Sequence, residues 1–191
     1  MDLATNKART RIDWLGANSL ASWGIRPITS VTGNEDRLRS WRAGRIVSEN
    51  GRLVSIRGRW WPHWGNLAQV MWDTNFGVQA HSRPMVDHCE LYYQQAFGAS
   101  NYLTINYCRS YRGTSVATIY GTLCVLDQIA KIKQSAAAVC QITNDRISDR
   151  VLLRWGWQPH CSQLSGRHFI KRYYGQFPTL SSAWRDRLGC S

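Results

Sequence analysis

The residues with most chemistry to offer lie in one short stretch, Ser110-Tyr-Arg-Gly-Thr-Ser-Val-Ala117. Gly113 permits a turn that exposes consecutive main-chain N–H groups, and the small Ser115 and Ala117 let a ligand approach the backbone. The next residues, Thr118 to Ile132, are apolar and long enough for a buried helix. The exposed N–H groups would then stand at that helix's positive end. Such a place suits phosphate, above all a diphosphate, and Arg112 can add a charge-assisted bond. One glycine with one arginine also occurs in ordinary strand-to-helix turns, so the surroundings must give the motif its meaning.

Those surroundings follow a regular order. Leu103, Ile105 and Tyr107 alternate with Thr104, Asn106 and Cys108, which predicts a strand over 102–108. Ala136 to Ile142 is a short apolar run fitting a central strand. After Asn144, Asp145 is placed to cap a helix whose Ile147, Val151 and Leu152 share a face, ending at Trp155-Gly156-Trp157. Residues 157–160 and 167–174 then read as two strands joined through Cys161 to Gly166, a C-terminal β-hairpin. Leu180 to Leu188 is a helix fragment ending at Gly189. Upstream, Arg45 to Arg57 forms two alternating runs around Asn50-Gly51, a strong hairpin signal. Residues 84–97 read as a helix, with Pro84 in its first turn, Gly98 as its C-cap, and Met85, Cys89, Tyr92 or Tyr93, and Phe97 near helical spacing. Leu67 to Trp72 fits a strand or a helical turn. Ile12, Leu15, Leu20 and Trp23 could form one short helix stopped by Pro27. Gly33 to Asp36 is a turn or cap, with Leu38 and Trp41 covering the core. The Trp60-Trp61-Pro62-His63-Trp64-Gly65 cluster is either a loop plugging the core or an aromatic wall for a substrate.

Composition sets the outer bounds. A chain of 191 residues with 43% hydrophobic side chains fits one α/β domain over residues 1–191, in which 1–43 is an N-terminal elaboration. No apolar run is long enough for a membrane span, and the first residues lack an apolar leader core, so a cytoplasmic location is expected. Six cysteines without a C-x-x-C pair read as reduced thiols, and no spacing suggests a metal site. The net charge of +12 comes from 20 arginines and only 4 lysines against 12 acids. Arginine binds phosphate and carboxylate through a planar fork, so a polyanionic partner is expected, beside the plainer reading of a basic surface that aids solubility.

The order of strand, Arg-Gly-x-Ser-x-Ala turn, long helix, strand, Asn, short helix, aromatic-Gly-aromatic and strand pair resembles the acyl-CoA-binding core of the GNAT superfamily of N-acyltransferases. The resemblance covers residues 100–175. It implies a mixed central sheet flanked by helices, and acetyl-CoA or another acyl-CoA as co-substrate. Its turn holds the CoA pyrophosphate, and here the matching residues are Ser110, Gly113 and Ser115, with Arg112 where arginine is common. Cys108, Thr114, Val116, Ala117 and Asn144 complete the implied cofactor-binding set. Ser110 stands where Gln or Arg is usual, Ser115 where Gly or Ala is usual, and Leu152 where many members carry a tyrosine acid. The implied reaction is direct attack of an amine on the thioester carbonyl, helped by a main-chain N–H near Tyr107-Cys108, a base and an acid. The base candidates are Glu90 and His88, and the acid candidates are Tyr107 and Tyr173. The amine acceptor is not specified by any motif. Cys108 has no paired histidine in view, which argues against a thiol enzyme.

A second function stays open, a non-catalytic basic protein that binds nucleic acid or takes part in assembly. Arg167-His-Phe-Ile-Lys-Arg-Tyr-Tyr174 interleaves cations with aromatics in the manner of nucleic-acid surfaces. On a strand, however, Phe169, Lys171 and Tyr173 share one face and His168, Ile170, Arg172 and Tyr174 the other. That pattern fits a half-buried strand better than a stacking platform.

Overall fold

The computed structural model describes residues 26–59, 86–142 and 147–190. Seven strands form one mixed sheet: β1 (Ala43–Glu49), β2 (Arg52–Arg59), β3 (His88–Ala96), β4 (Ala99–Ser110), β5 (Ala137–Ile142), β6 (Gln158–Pro159) and β7 (Arg167–Arg172). Their order across the sheet is β2-β1-β3-β4-β5-β7-β6. Among the described strands only the β4–β5 pair is parallel, and it is connected by the longest described helix. The helices are α1 (Glu35–Ser40), α2 (Val116–Ile132), α3 (Asp149–Arg154) and α4 (Ser182–Leu188). The expected α/β class and helix-flanked mixed sheet are present. No helix of the described residues is long and apolar enough to cross a membrane.

The β1–β2 hairpin turns at Asn50 (φ 49°) and Gly51 (φ 69°), the paired left-handed residues that a two-residue turn requires. A bulge then shifts the register between Val47 and Ser48, so that Val47 faces Ser55 and Arg45 faces Arg57. Gly58 has a steric reason to be glycine. A Cβ built there would lie 1.6 Å from the Trp41 ring, which is itself only 2% exposed.

The described part of the helix expected over 84–97 is not helical. From His88 onward these residues form β3, and Gly98, expected as a helix cap, is the left-handed residue of the β3–β4 turn (φ 75°). The apolar residues support two periods at once. Cys89 and Phe97 fit helical spacing, but Cys89, Leu91 and Tyr93 alternate, and these three are the buried ones. Pairing with β1 on one side and β4 on the other decides between them, because a strand there satisfies the backbone of both neighbours.

Helix α2 starts where its cap places it, with the Ser115 side chain accepting from the Thr118 N–H at 3.1 Å. Its Leu123, Val125, Leu126, Ile129 and Ala130 are buried against the same sheet face as Ile46, Leu91 and Leu103. Each large side chain so buried is worth about 1.5–3 kcal/mol in removed apolar surface. Helix α1 rests on α2 through Leu38, and α4 adds Leu188 and closes at Gly189 (φ 59°), as expected. Helix α3 begins at Asp149 after Ser148, later than expected, and Asp145 lies outside the described residues. So do residues 12–23, the Trp60–Gly65 cluster and Leu67 to Trp72.

Candidate functional site

The parallel strands β4 and β5 part company early. Tyr102 to Ile105 pair with Ala137 to Cys140, and there the ladder stops. β4 nevertheless continues for five more residues, to Ser110, and β5 for two, to Ile142. Asn106, the residue just past the last pair, is an extra residue in the β3–β4 ladder, since Tyr92 faces Tyr107 while Tyr93 faces Ile105. Such a bulge bends its strand and increases its twist. Among the described residues, the main chain from Asn106 to Ser110 therefore has no strand partner on its β5 side. This opening is at the carboxyl ends of the parallel strands, where open α/β sheets commonly bind ligands.

The turn that follows β4 delivers Arg112 to Ala117 to the same end of the sheet. Arg112, Val116 and Ala117 are exposed and Gly113, Thr114 and Ser115 are half-buried. Gly113 does not use the left-handed conformation that only glycine takes easily, so its backbone freedom is not what shapes the turn. Several amides are already committed. The Thr114 N–H donates to the Tyr111 carbonyl at 3.0 Å, and the Tyr111 N–H donates to Thr114 Oγ1 at 2.7 Å. The Ser115 N–H donates to Asp87 Oδ1 and the Ser115 hydroxyl to Asp87 Oδ2, each at 2.8 Å. Asp87 thus places a carboxylate at the positive end of α2. Burial raises its pKa, but the Ser115 and Thr118 bonds outweigh that and hold it below the usual carboxylate range. Gly113, Val116 and Ala117 keep amides without hydrogen-bond partners among the described residues.

Cys108 is exposed on the α2 side of the opening, with its sulfur 3.7 Å from that of buried Cys89. That contact holds the Cys108 thiol well above its ordinary range, which keeps it protonated and a poor nucleophile. Tyr107 is on the other sheet face, half-buried, with its ring centroid 6.1 Å from that of Tyr92.

Glu90 shares that face but is poorly suited to act as a base. His88 Nε2 lies 3.1 Å from Glu90 Oε1, the Tyr92 hydroxyl donates to Oε2 at 3.0 Å, and Arg45 approaches to 3.6 Å. Burial pushes the carboxyl up, but His88, Arg45 and Tyr92 together more than reverse it and leave Glu90 at about 2. His88 is fixed between Glu90 and Glu49, whose Oε1 lies 2.9 Å from Nδ1. The Glu90 bond, against burial and aided by Glu49, raises the imidazole pKa and favours the charged form, which has no lone pair to accept a proton. Both residues are therefore committed to each other.

Tyr173 is not at the opening. It is 2% exposed beneath α2, where its hydroxyl donates to Asp127 Oδ1 at 2.9 Å. Lys171 Nζ lies 2.7 Å from Asp127 Oδ2, completing a buried triad that joins α2 to β7 and the residue just after it. Burial first, then the Asp127 charge and bond, push the phenol far above its ordinary value, so Tyr173 is a structural donor and no general acid. Asn144 lies outside the described residues.

Sequence reasoning brought the turn, Cys108 and Tyr107 together at one end of the sheet, as the structure does. It missed Asp87, because the misread helix put it in a first turn of its own and not at the cap of α2. Compared with protein-family models, curated proteins and solved structures, the chain matches none.

Proposed function

We propose that the chain binds a CoA thioester in the opening between β4 and β5 and transfers its acyl group to an amine, in the manner of the GNAT superfamily. The observation that carries this reading is the early end of the parallel ladder at Ile105–Cys140, set beside the N-terminus of a 17-residue helix and the exposed Arg112. A pantetheine arm is a narrow amide chain that can take hydrogen bonds from an unpaired strand edge, and the diphosphate beyond it meets the free amides of Gly113, Val116 and Ala117. The antiparallel β6–β7 pair beyond β5 agrees with the C-terminal hairpin of that family. Asp87 works against anion binding at the same helix end, and its carboxylate has to turn aside or share the site. The chemistry that remains is modest: a β4 main-chain N–H to polarise the carbonyl, Tyr107 on β4 as the phenol to supply a proton to the leaving thiolate, and solvent in place of a dedicated base.

Saturating acetyl-CoA is expected to raise the melting temperature, since a ligand at 100 times its Kd stabilises by about 2.7 kcal/mol. Arg112→Glu should remove that shift and Asp87→Asn should enlarge it, because the asparagine keeps an acceptor for the Ser115 N–H without the charge. A wild-type protein unaffected by acetyl-CoA would end this reading and leave the nucleic-acid alternative, whose mark is affinity that falls steeply with salt.

A further inference from the structure

The sheet face turned away from α2 carries three arginines with buried donors left unmet among the described residues, although Arg45 Nη1 also donates to the Tyr92 hydroxyl at 3.4 Å. Arg45 on β1 faces Arg57 on β2, and Ala43 faces Arg59, so the three side chains stand together on the same face. Residues on the α2 side of these strands, Ile46, Ile56 and Gly58 beneath Trp41, alternate with them. Nε of Arg45, Nε of Arg57 and Nη1 of Arg59 are all buried, and none has a hydrogen-bond partner among the described residues. Among the described residues Glu90 is the one carboxylate within 4 Å of the group, and it approaches Arg45 alone and already serves His88 and Tyr92. Burial, with the repelling Arg45 charge adding to it, holds the Arg59 guanidinium below its ordinary value. Buried N–H donors on mutually repelling cations are costly to leave unmet, and an oxyanion is the group that meets several of them together.

We infer that Arg45, Arg57 and Arg59 form a binding site for the oxyanion of a small ligand, a phosphate or carboxylate group held by the recessed guanidinium edges. The donors are sunk into the sheet face, which suits a compact anion better than a polymer backbone reading exposed side chains. Tyr107 and Glu90 share this face next to β4. If the acyl-transfer reading holds, on which this last step rests, the site selects an acceptor amine that also bears a negative group.

The test uses thermal shift at constant ionic strength, with chloride as the reference and inorganic pyrophosphate or citrate as the probe. The Arg112→Glu background removes binding at the α2 end, so any remaining shift reports other sites. Pyrophosphate or citrate at millimolar concentration should raise the melting temperature of this background by several degrees, and the more effective of the two names the group preferred. Adding Arg57→Gln, or separately Arg59→Gln, should abolish the shift, while exposed Arg150→Gln should leave it intact. Each arginine variant should melt no lower than its parent in chloride alone, which shows that it folds. No shift with either probe, a shift that survives both substitutions, or one given only by an oligonucleotide overturns the inference. A pyrophosphate response without any acetyl-CoA response in the wild type keeps this site and removes the acyl-transfer reading. An acetyl-CoA response without either anion response does the reverse.

Discussion

The two faces of the sheet each bury charge, but they do so to different degrees of completion. Under α2, Asp127 accepts from Lys171 and from Tyr173, and both carboxylate oxygens are used. On the opposite face, Arg45, Arg57 and Arg59 leave donors unmet. The first group is explained by the fold alone, since α2 and β7 need each other to keep its charges paired. The second is not, and what folding leaves unpaired is where a ligand contributes. Tyr173 and Tyr107 differ as candidate acids by place: one phenol is bonded to Asp127 inside the core, the other lies on β4 past the end of the parallel ladder.

Breaking the complete group should have the largest effect. Asp127→Ala strands the Lys171 ammonium in the core and is expected to cost about 3–5 kcal/mol in urea unfolding. Replacing Asp127 and Lys171 together by Leu and Met should recover most of that loss. A single-variant cost below 1 kcal/mol would mean that the pair is not what joins α2 to β7.

Glu90 gives an intermediate effect with a signature in pH. Its folded pKa of about 2 is below its unfolded value, so its contribution is present above the unfolded value and is lost as pH falls through about 2. Glu90→Gln should therefore lose stability at neutral pH, by roughly 3 kcal/mol at most, and the gap to wild type should close between pH 4.5 and 2. His88 has the opposite sign. Its raised pKa supplies stability that is fully present below the unfolded value and fades as pH rises through the folded one. His88→Gln should thus differ most from wild type in mild acid and least in alkali. Equal gaps across the range would remove the Glu49–His88–Glu90 relay from the account.

The smallest effect belongs to the incomplete group. Arg57→Gln removes repulsion and breaks no internal hydrogen bond of the buried Nε, so unfolding free energy should stay within about 0.5 kcal/mol of wild type or rise slightly. A loss above 2 kcal/mol would show that Arg57 is paired within the fold after all.

How far these features were legible differs residue by residue. The Asn50-Gly51 turn, the strand before Arg109, the long helix and the Gly189 stop are local signals and were readable as such. The arginine group was not. A two-residue turn alone sets Arg45 across from Ile56, and only the bulge at Val54 slips the register to Arg57. The strand at 88–96 was hidden because Cys89, Tyr93 and Phe97 satisfy a helical period equally well, and the choice between the two comes from β1 and β4. The opening between β4 and β5 depends on where a ladder stops, which no single strand encodes. Tyr173 looked available because an aromatic on a basic strand gives no sign of the Asp127 that faces it from α2.

The central claim is that the parted strands and the α2 end hold a CoA thioester. Isothermal titration of acetyl-CoA into the full chain tests it most directly. The account predicts one-to-one binding that is weakened at least tenfold by Arg112→Glu and tightened by Asp87→Asn. Absence of heat up to millimolar acetyl-CoA, or binding indifferent to both substitutions, would contradict it.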